Sequence, residues 1–257
     1  MPREPEYSNN EKAFVLEAIQ QGLRVDGRQL DEFRKVDISF GEEFGLTDIK
    51  LGRTRVIVRV SAEVTKPYPD QPFEGIFSIT TELGPMASPA FEVGRSTEQE
   101  VLLARLIEKA IRRSNAIDQE SLCIVAGQKC WSVRADVHFL DHDGALVDAS
   151  CIAVVAALTH FRRPDVSVEG EKVTIHTLTE RVPVPLSILH LPICVCQISK
   201  AGGMAIEAVI LMSCATQALL VVRQVTELLM NKLEEDQEKR VRRDNLLKAS
   251  AENVRRA

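Results

Sequence analysis

The sequence has no surplus of positive charge. Lys and Arg number 32 against 37 Asp and Glu, a net charge of −5, whereas a protein that coats nucleic acid or anionic lipid without selectivity carries the opposite sign. Any contact with a polyanion has to come from a local basic stripe. The opening residues, MPREPEYSNNEKAF, contain no apolar signal core, so nothing directs the chain to secretion. No apolar run has the length of a bilayer. The longest, Ala208 to Val222, holds Ser213, Thr216 and Gln217, is closed by Glu207 and Arg223, and reads as a buried helix. The six cysteines (Cys123, Cys130, Cys151, Cys194, Cys196, Cys214) form no CxxC pair. They read as reduced core thiols of a cytoplasmic or nuclear protein, not as a disulfide framework or a zinc site. Also absent are GxSxG, HExxH, a Cys/His dyad at useful spacing, short repeats and low-complexity tracts.

What is present is ordinary globular material. Hydrophobic residues at 45% and charged residues at 27% exclude wholesale disorder. A chain of 257 residues makes one large domain or two small ones. It buries roughly 70–75% of its unfolded surface, enough for a core without disulfide or metal.

Helical spacing predicts a helix over Asn9 to Gln21, stopped at Gly22. After a polar hinge, Arg24 to Arg28, alternation predicts strands at Val36–Phe40, Leu46–Leu51 and Thr54–Val64, the last two joined by a Gly52-Arg53 turn. A further strand runs from Gly75 to Leu83. A capping-box pattern at Thr97–Glu100 opens a helix to about Ser114, whose buried side is Leu102, Leu103, Leu106, Ile107, Ala110 and Ile111. A strand at Cys130–Leu140, a turn at Asp141–Gly144 and a small-residue helix at Val147–His160 follow. Beyond them come short strands at Val166–Val168 and Lys172–His176, a connector with Pro183 and Pro185, and an apolar strand Ile193–Cys196. One long helix or two extend from about Ala205 to Lys248, heavily charged after Lys232. Hairpins with segregated helices make an α+β fold.

Few residues carry chemistry. His142 between Asp141 and Asp143 has the composition of a metal site, but neighbours in a strand point to opposite faces, so a turn is the plainer reading. Asp136 and Asp148 are candidate paired carboxylates, and equally ordinary structural acids. Gly202-Gly203, near Ser199 and Lys200, is either a phosphate-cradling loop or a bend before a helix. Arg105, Lys109 and Arg112, at i, i+4 and i+7 with Arg113 beside them, form a cationic stripe on one helix face. Such a stripe suits phosphate oxygens, or is a solvated face with Glu108 as partner. The basic run Lys239 to Arg243, continued at Arg255-Arg256, follows Glu234, Glu235, Asp236 and Glu238 and reads as a solvated terminal helix or a partner or RNA contact. On residues alone the function stays open between an RNA-binding scaffold and a phosphate-using enzyme.

Several segments together resemble the ribonuclease PH-like family: Arg24-Val25-Asp26-Gly27-Arg28 with Phe33-Arg34, Leu51 to Val56, Pro89 to Arg95, Asp118 to Cys123, His142 to Ala149, Phe161 to Val166, and Pro183 to Ser187. Within that family the chain is most similar to the ring subunits of the eukaryotic RNA exosome. The resemblance implies the ribonuclease PH-like (ribosomal S5 domain 2-like) fold, in a ring of six such domains with RNA threaded through the pore. It places the helix after Thr97 beside that pore, which makes Arg105, Lys109, Arg112 and Arg113 the implied RNA-binding residues. Expected partners are other ribonuclease PH-like ring subunits, cap subunits and single-stranded RNA, with no membrane, metal or cofactor. The implied work is 3′-to-5′ RNA processing and decay, including rRNA maturation and mRNA turnover, in cytoplasm and nucleus, the nucleolus included.

Two departures from the family pattern bear on activity. Active members hold phosphate with a hydroxyl residue and an arginine after the glycine of the turn. Here Gly144 is followed by Ala145 and Leu146, neither of which donates a hydrogen bond or a charge. The chain also lacks several tens of residues after Val195, including the region where active relatives carry a catalytic carboxylate. These departures imply a non-catalytic subunit and not an active phosphorolytic 3′-5′ exoribonuclease. The expected division is a core over 1–195, a shortened remainder of the second half over 196–231, and a charged helical tail over 232–257. Without the absent segment, Ile193, Val195 and Ile198 are expected to lose cover.

Overall fold

The computed structural model describes residues 8–30, 32–89, 91, 98–169, 172–177, 180–193 and 207–256. Alternation does the first work. Strands β1 (Val36–Phe40), β2 (Leu46–Leu51) and β3 (Thr54–Thr65) form an antiparallel meander, with Ile38, Ile49, Leu51, Val56, Val58 and Val60 buried on one face. The β1–β2 connection turns at Gly45, where φ is +88°; a Cβ there would stand 2.7 Å from the Phe161 ring, so only glycine fits. Strand β4 (Ile76–Leu83) enters from the far side. It is followed by α2 (Glu98–Ile111), β5 (Cys123–Val125) and the long β6 (Lys129–Asp141). β6 pairs antiparallel with β3 and parallel with β4, giving the order β1-β2-β3-β6-β4, with β5 hydrogen-bonded to β6.

Helix α3 (Leu146–His160) is apolar on all sides, and eleven of its fifteen residues are buried. Such a helix belongs inside. Alanines 149, 153, 156 and 157 let it lie close against β2 and β3, and α2 packs against α3 and β4. Two small pairs follow: β7 (Arg162–Arg163) with β10 (Val184–Pro185), and β8 (Val166–Glu169) with β9 (Lys172–Ile175). Helix α1 (Asn9–Gln20) is opened by a capping box between Ser8 and Glu11, is followed by Gly22 at φ +76°, and buries none of its residues. The C-terminal helix is single: α4 runs from Ala208 to Arg256.

Three expectations about burial are corrected. Leu102 is 53% exposed, because the buried side of α2 is the i, i+4, i+8 line Leu103, Ile107, Ile111, and Leu102 sits on its flank. The apolar start of α4 is not buried: residues 207–214 are all exposed, and among the described residues no element covers them. By length and composition, Ala208–Leu246 is long and apolar enough to cross a membrane, contrary to the reading of an interrupted run. Farther along, however, Val225, Leu229 and Leu233 enter the protein core. Ile193, expected to lose cover, is 4% exposed and lies against that part of α4. Val195 and Ile198, the rest of the strand expected at 193–196, Gly202-Gly203, Ser199, Lys200 and the cap residue Thr97 lie outside the described residues.

Candidate nucleic-acid interface and phosphate turn

The turn from β6 into α3 has left-handed backbone twice in succession, at Gly144 (φ +77°) and at Ala145 (φ 54°, ψ 37°), which occupies the N-cap of α3 without a capping side-chain bond. Holding a residue with a Cβ there costs about 1–2 kcal/mol, and the surroundings supply the restraint. Thr54, fully buried at the start of β3, donates its hydroxyl to the Gly144 carbonyl (2.7 Å) and accepts the Asp143 amide (3.1 Å). Arg34 donates to the Asp143 carbonyl at 2.6 Å. The side chains that hold this turn therefore bind its own backbone. After the turn come the methyl of Ala145, the aliphatic Leu146 and, one residue past Val147, the carboxyl of Asp148, which burial pushes up from its ordinary value. Ala145, Asp148, Arg28 and Arg34 share a cavity of about 440 Å³ with Gln217 and Ala218 of α4. Arg24 lines it as well, but Arg24 donates to the Leu30 carbonyl, Arg28 is paired with Asp26 and Arg34 is spent on the turn, so the turn itself adds to the cavity only one polar side chain, the Asp148 carboxyl.

The other carboxylate candidate does not join this site. Asp136 lies on the outer face of the sheet, 3.1 Å from Arg134, while Asp148 is on α3 behind the inner face, so the sheet separates them. Asp141 closes β6, and the turn the sequence suggested follows it through His142 and Asp143, with His142 stacked obliquely 5.8 Å from Phe91. No group of three or more His, Cys, Asp or Glu able to hold a metal occurs among the described residues.

Arg105 and Lys109, on the side of α2 away from Ile107, and Arg112 and Arg113, in the turn that follows the helix at Ile111 and not within it as expected, are all exposed. Glu108 claims one of them, holding Arg112 at 2.8 Å. Among the described residues the side chains of the other three have no ion-pair partner, so the stripe presents free cations to solvent.

One buried polar cluster escapes sequence reasoning. His160, 4% exposed at the end of α3, accepts the Gly45 amide at Nδ1 (3.1 Å), and its Nε2 lies between Asp236 Oδ2 (3.2 Å) and Arg240 Nη2 (3.0 Å) of α4. Arg240 holds Asp236 at 2.5 Å, donates to the carbonyls of Gly41 (2.6 Å) and Glu42 (2.8 Å), and lies over the Phe44 ring. Burial and the adjoining Arg240 charge push the His160 ring down to about 4, against the pull of Asp236. At neutral pH this is a neutral imidazole between two charged groups, and it clamps α4 to the β1–β2 connection. Arg240 is thus no solvated tail residue. The Asp236/Arg240 spacing of four was the readable half of this signal; their meeting with His160 was not.

Residues 32–164 match the RNase_PH family, described as the 3′ exoribonuclease family, domain 1. The chain is 50% identical over 292 positions to exosome complex component rrp45 of Schizosaccharomyces pombe, covering 99% of this chain and all of that protein. It is 44% identical over 305 positions to exosome complex component RRP45 of Saccharomyces cerevisiae, covering 99% of each. An alignment of 292 positions is longer than the 257 residues of this chain, so at least 35 positions of the fission-yeast protein have no counterpart here. Among solved structures, a chain of the Archaeoglobus fulgidus exosome with RNA bound to the active site superimposes with a TM-score of 0.65 at 29% identity, over 84% of this chain and 96% of that one.

Proposed function

The chain belongs to the 3′ exoribonuclease family, and from that premise we propose that it is a ring subunit of the RNA exosome that binds RNA backbone and neighbouring subunits without cleaving RNA. The observation that carries the loss of chemistry is the turn Gly144-Ala145-Leu146. Arg34 and Thr54 are spent on its carbonyls, and the next polar side chain is the Asp148 carboxyl. Phosphorolysis needs donors and positive charge placed where the phosphate sits, and this turn offers a methyl and an isobutyl group instead. RNA contact falls to the exposed cations Arg105, Lys109 and Arg113, with Arg112 shared with Glu108. The proposal includes the other ring and cap subunits as partners, action in nucleus, nucleolus and cytoplasm, and a division of the chain near 195 and 231, supported by the rise in charge density after Lys232.

The test is direct. Purified full-length chain, incubated with single-stranded RNA and inorganic phosphate, releases no nucleoside diphosphate above a mock purification, and Leu146→Arg leaves it silent. Phosphate-dependent release by the unmodified chain overturns the reading.

A further inference from the structure

Beyond RNA and the turn, a second surface is built for a partner. Helix α1 and residues 23–35 enclose a groove of about 780 Å³ that ends at the β2–β3 turn. Its walls are aliphatic: Val15, Ile19, Leu23, Val25 and Leu30 all line it, and each is more than a third exposed. The whole of α1 lacks a buried residue, although Phe14, Val15, Ala18 and Ile19 give it an apolar side. A helix held only by its caps, with that side open, is waiting for cover.

The rim decides what kind. Five cations line the groove, Arg24, Arg28, Arg34, Lys35 and Arg53, against two acids, Asp26 and Asp143. Asp26 is committed to Arg28 at 2.6 Å, and among the described residues Lys35 and Arg53 have no side-chain partner. A chain of net charge −5 thus places a local excess of positive charge around an aliphatic trough. A polar RNA backbone could meet the cations but would leave the aliphatic walls uncovered, since no aromatic side chain lines this groove to stack bases over them. A flat bilayer surface does not reach the walls of a concave groove. We infer that the groove between α1 and residues 23–35 docks an acidic amphipathic segment of a partner protein, apolar side chains inward and carboxylates on Lys35 and Arg53. This stands whether or not α2 carries RNA.

Site-specific photocrosslinking tests it. Benzoylphenylalanine is placed in cells in the full chain at Ile19 or Val25, and at Glu17 as a control on the opposite side of α1. The crosslinked species are then sequenced by mass spectrometry. The expected product is a protein segment of net negative charge with apolar residues every three to four positions. Its yield at Ile19 should exceed that at Glu17 at least fivefold and fall at least fivefold in the Lys35→Glu/Arg53→Glu double variant. The proposal is overturned by crosslinks to nucleic acid, to lipid, to a basic or uncharged segment or to the chain's own first seven residues. Equal yields at Ile19 and Glu17, or indifference to the double variant, overturn it as well.

Discussion

At the scale of single residues, the strongest physical commitment is the neutral imidazole of His160. Its ring is pushed down to about 4 by burial and by Arg240, from an ordinary value of 6.5. Between those two values the unfolded chain binds a proton that the folded chain refuses, so stability rises with pH across that window and levels off above it. A shift of this size corresponds to up to about 3 kcal/mol, a large share of a typical net stability of about 5–15 kcal/mol. The wild-type protein should therefore lose stability from pH 6.5 towards 4 more steeply than His160→Gln does. Urea melts at several pH values measure the gap between the two. A gap that stays constant from pH 7 to 4.5 would mean that His160 takes up its proton equally in the folded and the unfolded chain, as an unshifted imidazole does.

At the scale of elements, α4 is held at one end of its contact and open at the other. The Asp236–Arg240 pair and the two carbonyl bonds from Arg240 bind it to the β1–β2 connection, with both charged side chains less than a fifth exposed. Removing one partner of such a pair leaves an uncompensated charge and costs about 3–5 kcal/mol. Arg240→Met should speed amide hydrogen exchange across residues 225–246 while leaving β3 and β6 protected; unchanged exchange in α4 would show that apolar packing at Val225, Leu229 and Leu233 suffices alone. The strands β1 to β3, the Gly52-Arg53 turn, β6 and α3 were legible in the sequence because their apolar period matches the local structure and their burial is decided by immediate neighbours. The failures share a different cause. Ala208–Val222 reads as core from composition, but burial needs another element to cover it: Val221 and Val222 meet the core, whereas among the described residues nothing covers residues 208–214. The parallel pairing of β4 with β6, the clamp from Arg240 to residues 41–42 and the docking of Ile193 depend on residues far apart in the chain, where periodicity carries no signal. At the turn, Ala145 and Leu146 could be read as non-binding side chains, whereas the use of Arg34 and Thr54 on the backbone could not.

At the scale of the whole molecule, the question is whether the α2 stripe acts on RNA or on a neighbouring subunit, since both would use the same exposed cations. The two roles differ in what they release. A phosphate contact displaces condensed counterions, so each one lost flattens the dependence of log affinity on log salt by roughly 0.7 for a single strand, without regard to base sequence. A subunit contact leaves that slope untouched and changes the amount of ring formed. Arg112 is a poor probe because Glu108 already holds it, whereas Arg105 and Lys109 are exposed and have no ion-pair partner among the described residues. Glutamine at both positions removes two charges and keeps helix propensity. In rings first checked for composition by native mass spectrometry, the Arg105→Gln/Lys109→Gln variant should bind oligouridine and a mixed-sequence RNA more weakly by the same factor. Its salt slope should be lower by roughly 1.4, two contacts at 0.7 each. Full affinity with an unchanged slope removes RNA from this face. If incomplete rings accompany that result, the same cations belong to the subunit boundary, where they would pair with carboxylates on the adjoining chain.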